Sequence, residues 1–285
     1  MKRNNTLKMV ILIISLLFSW LFIGGVFMLS FYSLFSASNY SELLSTIISF
    51  IGVNIPYITL FIFSLVVTHI VLNTKICDMV RDKKYSLRCY ILTALIALTI
   101  FSLSTIAFSR NITIGSKSLS TKVVMLFIAL AITPLQCFSE EYLFRVVIAR
   151  LFNSDKNLVK LILSIASGII FLFLHKLSNP EFLISPSIML NLYYFLFGFL
   201  SMLLGLFLED FTFPIIIHSI NNLFIVIVCN YAGSPLESAS FFISSTIPSP
   251  LISSIAMIMI FALTFFCAKK NRGELHGKEK EINEG

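Results

Sequence analysis

The chain alternates between long apolar runs and short polar joints. Eight runs stand out, at about 9–35, 44–72, 87–108, 123–150, 158–176, 185–208, 211–231 and 247–268. A helix that crosses a bilayer needs about 20 mostly apolar residues, and each run approaches or exceeds that length. The pattern therefore predicts an all-α, polytopic membrane protein, a bundle of about eight transmembrane helices. Pro56 and Pro134 fall inside the second and fourth runs, where a missing backbone hydrogen bond favours a kink. Pro214 falls in the first turn of the seventh, where proline is tolerated. The first run is much longer than the roughly 7–15 apolar residues of a signal peptide, so it is expected to stay as the first span.

Composition strengthens this reading. Only 12% of the 285 residues are charged and 57% are hydrophobic, against about 25% charged in a soluble domain. That leaves too little polar surface to cover a water-soluble body. The net charge of +7 does not point to nucleic acid. The basic residues sit at the ends of apolar runs and in the tail, and no Lys/Arg stripe interleaved with aromatics forms. Five scattered cysteines (Cys77, Cys89, Cys137, Cys229, Cys267) have no metal-type spacing and suggest no disulfide framework.

The basic residues do carry orientation. With eight helices both termini lie on one side, and that side receives 17 Lys and Arg, from Lys2 to Lys280. The other receives four: Arg110, Lys117, Lys122 and Lys176. The positive-inside rule then places both termini in the cytoplasm of a cell, expected to be bacterial, as a multi-pass plasma-membrane protein. The domain reading is one transmembrane domain over 1–268 and a charged, disordered cytoplasmic tail over 269–285.

Charge inside a bilayer costs roughly 2.5–3.5 kcal/mol per residue on insertion scales, which makes it a functional suspect. Glu140 and Glu141 lie within an apolar run, in Ser139-Glu140-Glu141-Tyr142-Leu143-Phe144-Arg145. Glu141 and Arg145 are four apart and share a helix face, so they can pair. Glu140 points elsewhere and needs a partner from another helix, a metal, or a neutral form. His175 closes Phe171-Leu172-Phe173-Leu174-His175, and His218 faces the same way as Asn222 one turn on. His69 has no polar neighbour at helical spacing and reads as a helix-end histidine.

Two designs fit these residues. Glu140, His175 and His218 can hold a divalent metal such as zinc, with the second Glu as general base. Without metal, Glu140 and His175 can position a water while His218 and Asn222 donate to an oxyanion. Either suits hydrolysis of a peptide bond in a peptide or membrane-anchored protein. The bland alternative is a buried Glu–Arg pair as glue and histidines as satisfied polar contacts. Their co-occurrence on separate helices favours a site.

Three motifs, Glu-Glu-xxx-Arg at 140–145, Phe-xxx-His at 171–175 and His-xxx-Asn at 218–222, resemble those of the CAAX-protease and bacteriocin-processing family of intramembrane endopeptidases. The resemblance covers about 122–230. It implies an all-α bundle with a cavity open to the cytoplasm, in which Glu140 and His175 activate water. His218 and Asn222 would bind the oxyanion, with Arg145 holding Glu141. The family has been described both as metalloprotease and as glutamate-dependent without metal. Bacterial members are linked to bacteriocin maturation, self-immunity and peptide processing, and some relatives are silent scaffolds or regulatory partners. Val146 replaces a common glycine, and Glu209-Asp210-Phe211-Thr212-Phe213 replaces a small, glycine-rich stretch. An ion-coupled carrier is the third reading, disfavoured by the absence of paired half-repeats.

At about 1.5 Å per residue, Glu140 lies roughly 15 Å from Arg150 and His218 roughly 12 Å from Asp210, whereas His175 lies roughly 22 Å from Lys160. On this arithmetic His175 sits deeper than its partners.

Overall fold

The computed structural model describes residues 2–35, 39–83, 85–108, 111–152, 154–184, 186–231, 234, 236 and 239–284, of which 2–5, 108 and 274–284 are described by backbone alone. The described chain is helical almost throughout. α1 (Lys2–Phe18) continues through a π turn at Ser19–Ile23 into α2 (Gly24–Phe35). α3 (Glu42–Leu72), the short α4 (Ile76–Val80) and α5 (Leu87–Phe108) follow, then β1 (Ile112–Ile114). α6 (Leu119–Glu141) runs through a second π turn, Tyr142–Val146, into α7 (Val147–Phe152). Next come α8 (Asn157–Ser178), α9 (Glu181–Ile184) and α10 (Ile188–Leu208). α11 (Thr212–Leu223) opens into a third π turn, Phe224–Val228. β2 (Cys229–Tyr231), β3 (Phe242–Ser244) and α12 (Pro250–Glu284) complete the chain, the last passing through the segment read as a tail.

Seven of these helices are long and apolar enough to cross a membrane. The seventh expected span differs: α11 and its π turn, Thr212–Val228, make a shorter apolar helix. The protein is a multi-pass, all-α membrane protein, and the many large apolar side chains on its outside form a lipid-facing surface.

Local chemistry sets the helix ends. Ser41, Ser118 and Ser187 cap α3, α6 and α10 by accepting from the N–H of Leu44, Thr121 and Leu190. Asn73 and Glu209 end α3 and α10 in the left-handed conformation. Asp210 then accepts from the Thr212 N–H at 2.8 Å and from the Tyr90 hydroxyl at 2.5 Å, which anchors the start of α11. The replacement stretch at 209–213 is thus a designed corner, with Phe211 seated against Gly205.

Contacts knit the bundle into two distinct ends. At one, Arg150 pairs with Asp82, Arg81 bridges Asp210, and Asn271 bonds Ser86, so the joints after α3, α7 and α10 meet the far part of α12. Met9 packs there with Met79 and Val80. At the other end the three strands form one sheet in the order β1-β3-β2, with β1/β3 antiparallel and β2/β3 parallel. Glu42 accepts from the Ser118 N–H and the Thr121 hydroxyl on this side. Among the described residues, Arg81, Lys83, Arg150 and Lys160 lie at the first end, where they meet Asp210, Glu209, Asp82 and the Leu206 carbonyl.

Among the described residues three apolar clusters fill the interior, the smallest around Phe50, Met125, Ala129 and Val226. Of the two larger, one joins α5, α8, α10, α11 and α12, and the other joins α1, α3, α4 and the π turn after α6. α6 packs against both α3 and α11 and so forms the seam. α8 and α10 approach closely because Gly168 and Gly198 face each other: a Cβ on Gly198 would lie 2.6 Å from the Phe171 Cβ and 2.7 Å from the Ser167 carbonyl oxygen. Lipid supplies no hydrophobic drive for helices to associate, so such small-residue contacts carry the packing.

Candidate active site

The seam brings the charged motif to the middle of the bundle. Glu140 and Glu141 end α6, and Arg145 lies in the π turn that follows. π turns interrupt the regular ladder and recur at functional sites. Arg145 and Glu141 are fully buried, and Glu140 is 7% exposed.

The expected Glu141–Arg145 pair forms, with 2.9 Å between Nη1 and Oε1. Its approach is off-axis, leaving the guanidinium N–H groups without hydrogen bonds. The guanidinium instead lies over the Phe171 ring, 4.6 Å from its centre. Phe171 is held in turn by Gly198, so the glycine contact between α8 and α10 reaches the charge cluster.

Glu141 has a second partner that no local spacing reveals. His218 Nδ1 lies 2.9 Å from the same Oε1, joining α11 to α6. A carboxylate on Nδ1 fixes the imidazole's orientation and turns Nε2 toward Glu140, whose Oε2 is 4.0 Å away. Glu140 also accepts from Gln136 Nε2 at 3.3 Å. Gln136 was not singled out from sequence, although it precedes Glu140 by one turn.

Asn222 accepts from Asn221 Nδ2 at 3.0 Å through Oδ1, which leaves its own amide N–H groups for other partners. His175 bonds the Phe171 carbonyl oxygen through Nδ1 at 2.9 Å. A carbonyl only accepts, so Nδ1 carries the proton and Nε2 is an acceptor. The imidazole stacks between Phe171, 3.9 Å away, and Tyr194, 4.9 Å away.

Glu140, His175, His218 and Asn222 line one cavity of about 670 Å³. His175 does share the cavity, on the side toward the strand end, where Tyr194 meets Asn179 and Glu181. It makes no ion pair with Glu140. The cavity continues from there past Leu177, Ser178 and Asn179 to Tyr231 and Leu236. It thus runs toward the strand end, away from the end where Arg81, Arg150 and Asp210 meet.

Among the described residues no three His, Cys, Asp or Glu side chains are arranged to hold a metal ion. His175 stands apart from the Glu140–His218 contact. This donor set does not fit a three-ligand zinc site, and the chemistry below is derived from the side chains alone.

Sequence reasoning also missed the outer wall. Glu181 is buried, accepting from the hydroxyls of Tyr194, at 3.1 Å, and Tyr231. Asn179 Nδ2 donates to the Tyr194 hydroxyl at 2.8 Å. Burial pushes the Glu181 carboxyl above its ordinary value, outweighing the two tyrosine hydroxyls that pull it down.

Fold and site together define a class: a multi-pass membrane protein with a buried carboxylate–imidazole site at mid-bundle. Residues 120–224 match the family described as type II CAAX prenyl endopeptidase Rce1-like. It is the family that the three motifs resemble, and the match covers all three. It supports a CAAX-type intramembrane protease. No curated protein and no solved structure matches the chain.

Proposed function

We propose that the protein is an intramembrane endopeptidase that hydrolyses a peptide bond in a membrane-bound or exported peptide, using Glu140 as base and no catalytic metal. The observation that carries this reading is the arrangement of Glu140 and His218 Nε2 across 4.0 Å, at one wall of a cavity that Asn222 and His175 also line.

In this mechanism Glu140 takes a proton from a water as its oxygen attacks the scissile carbonyl carbon. His175 Nε2, an acceptor because Nδ1 donates to Phe171, orients the water through its other hydrogen. The carbonyl oxygen gains negative charge and accepts from the Asn222 amide and from His218 Nε2–H. His218 acts here with a proton on both nitrogens, Nδ1–H being bonded to Glu141. The proton on Glu140 passes to the leaving amine as the C–N bond breaks, which restores the carboxylate. Glu141 and Arg145 touch no reacting atom and hold His218 in place.

The test compares wild type with Glu140→Ala and His218→Ala on a prenylated CAAX peptide and on candidate exported peptides. Cleavage by wild type alone, insensitive to chelators, is the expected result. Equal processing by all three would leave a silent scaffold or immunity partner as the better reading. Activity that falls with chelation and returns with zinc would restore the metal design.

A further inference from the structure

The cavity has a direction, and the charge distribution gives that direction a side. Its floor is the Glu140–His218 contact at the seam. Its lining then runs along the last two turns of α8, through Leu174, Leu177, Ser178 and Asn179, to Tyr231 and Leu236 beside the sheet. Leu177 and Ser178 are exposed, so this part of the lining meets the surroundings. On the facing side are Met28, Val53 and Asn54 of α2 and α3. Val53 is also exposed. α3 packs on α2 and α6, and α8 packs on α10, so the cavity lies between two separately packed walls.

None of the lining residues belongs to the opposite end, where Arg81, Arg150, Lys160, Asp210 and Asn271 gather. That end is closed by contacts that cross it: Arg150 to Asp82 and Met79, the Asp82 N–H to Glu209, and Tyr85 to the Leu208 carbonyl. Among the described residues it carries Arg81, Lys83, Arg150 and Lys160, and a gathering of basic residues is the mark of a cytoplasmic face.

We propose that substrate enters this site from the extracytoplasmic side, between α3 and α8, and that the cleaved segment is an exposed extracytoplasmic or exported stretch rather than a cytoplasmic tail. The lining also sets the chemistry of that stretch. Met28, Val53, Phe144, Leu174 and Leu177 give both walls apolar surface, and Asn54, Gln136, Asn179 and Asn221 offer amides. Among the described residues the lining contains no lysine, arginine or aspartate, and Glu140 is the one glutamate. An uncharged, extended segment with aliphatic or aromatic side chains fits, its backbone bonding to the amides. The choice of substrate rests on the protease reading, but the position of the mouth does not.

The test is thiol labelling of the full chain in intact cells with a membrane-impermeant maleimide, read residue by residue by mass spectrometry. Ser178→Cys places a thiol at the mouth, and the native, exposed Cys77 on α4 reports the basic end. Ser178→Cys is expected to label at least tenfold more than Cys77 in intact cells, with Cys77 catching up only after permeabilisation. Labelling of Ser178→Cys only after permeabilisation, or not at all, overturns the proposal. In a second arm, labelled Ser178→Cys should cleave peptide at least tenfold more slowly than the unlabelled variant, with labelling at Cys77 harmless. Undiminished cleavage also overturns the proposed route. Absence of cleavage before labelling would count against the protease reading instead, and the labelling pattern would still decide the mouth.

Discussion

At the residue scale, the buried charges divide by what they touch. Among the described residues Glu140 meets Gln136 and the distant edge of His218, whereas Glu141 and Arg145 are each other's partners and hold two helices. Removing one member of a buried pair typically costs about 3–5 kcal/mol, because the other charge is left uncompensated. Arg145→Ala is therefore expected to lower the detergent-solubilised unfolding midpoint sharply. Glu140→Gln should leave that midpoint within about a degree while cutting cleavage by roughly 10²–10⁴. Unfolding curves and turnover measured on both variants check this, and equal stability loss would assign Glu140 a structural role. Asn222→Ala, which removes an oxyanion donor, should cost about 10²–10³ in kcat with little change in KM. Much of this was readable from the chain, since a Glu, Arg or His inside an apolar run is conspicuous. The His218–Glu141 bond was not, because it joins residues 77 apart and helical spacing exposes only local pairs.

Glu181 belongs to the same scale and gives a pH signature. Its carboxyl is raised above the ordinary 4.5 by burial, so the folded chain binds more protons there than the unfolded chain. Stability from this group is highest below about 4.5 and falls as pH rises through the raised value, then levels off. Unfolding midpoints measured across that window should decline in wild type and decline less in Glu181→Gln, which stays neutral throughout. Parallel declines would show that the group does not titrate as its surroundings dictate. Nothing in the sequence marked Glu181, which sits in a short joint and gains its partners only when β2 folds beside α10.

At the scale of elements, the site depends on how closely α8 and α10 approach. Gly198 faces the Ser167 carbonyl and the Phe171 Cβ, and Phe171 supports both His175 and Arg145. Gly198→Val must push these apart, and overpacking of this kind costs about 1–3 kcal/mol. Cleavage should fall by at least tenfold, and the unfolding midpoint should drop. Gly25→Val is the matched control, because a Cβ there meets nothing within 4 Å. Equal behaviour of the two variants would refute the chain of contacts. The helices themselves were legible from apolar run length. The arithmetic set His175 deeper than Glu140 and His218, and it does lie nearer the strand end. The cavity is elongated along α8, so a residue two turns nearer the strand end still lines it. The strands, three residues each, are too short to leave an alternating pattern.

At the scale of the whole molecule, the number of passes and the side of the site are one question. α11 with its π turn spans 17 residues, about 25 Å at 1.5 Å per residue, which is less than the roughly 30 Å of a bilayer core. Its ends nonetheless meet opposite ends of the bundle. Asp210 is tied to Tyr90 and Arg81 at the basic end, and Cys229 enters the sheet at the other. The helix can be short because its neighbours, not lipid, surround the His218 face, where Phe197 and Phe171 flank the ring. Eight passes are therefore the expected count, with both termini at the basic end, where Met9 and Asn271 lie. The expected outcome is that a fluorescent protein that matures only in the cytoplasm lights up when fused at either terminus. A phosphatase that folds only outside the membrane should be active when inserted near Ser116 and inactive at either end. Opposite signals from the two termini would mean that α11 does not cross, and would place His218 and Glu141 in a topology incompatible with their 2.9 Å bond.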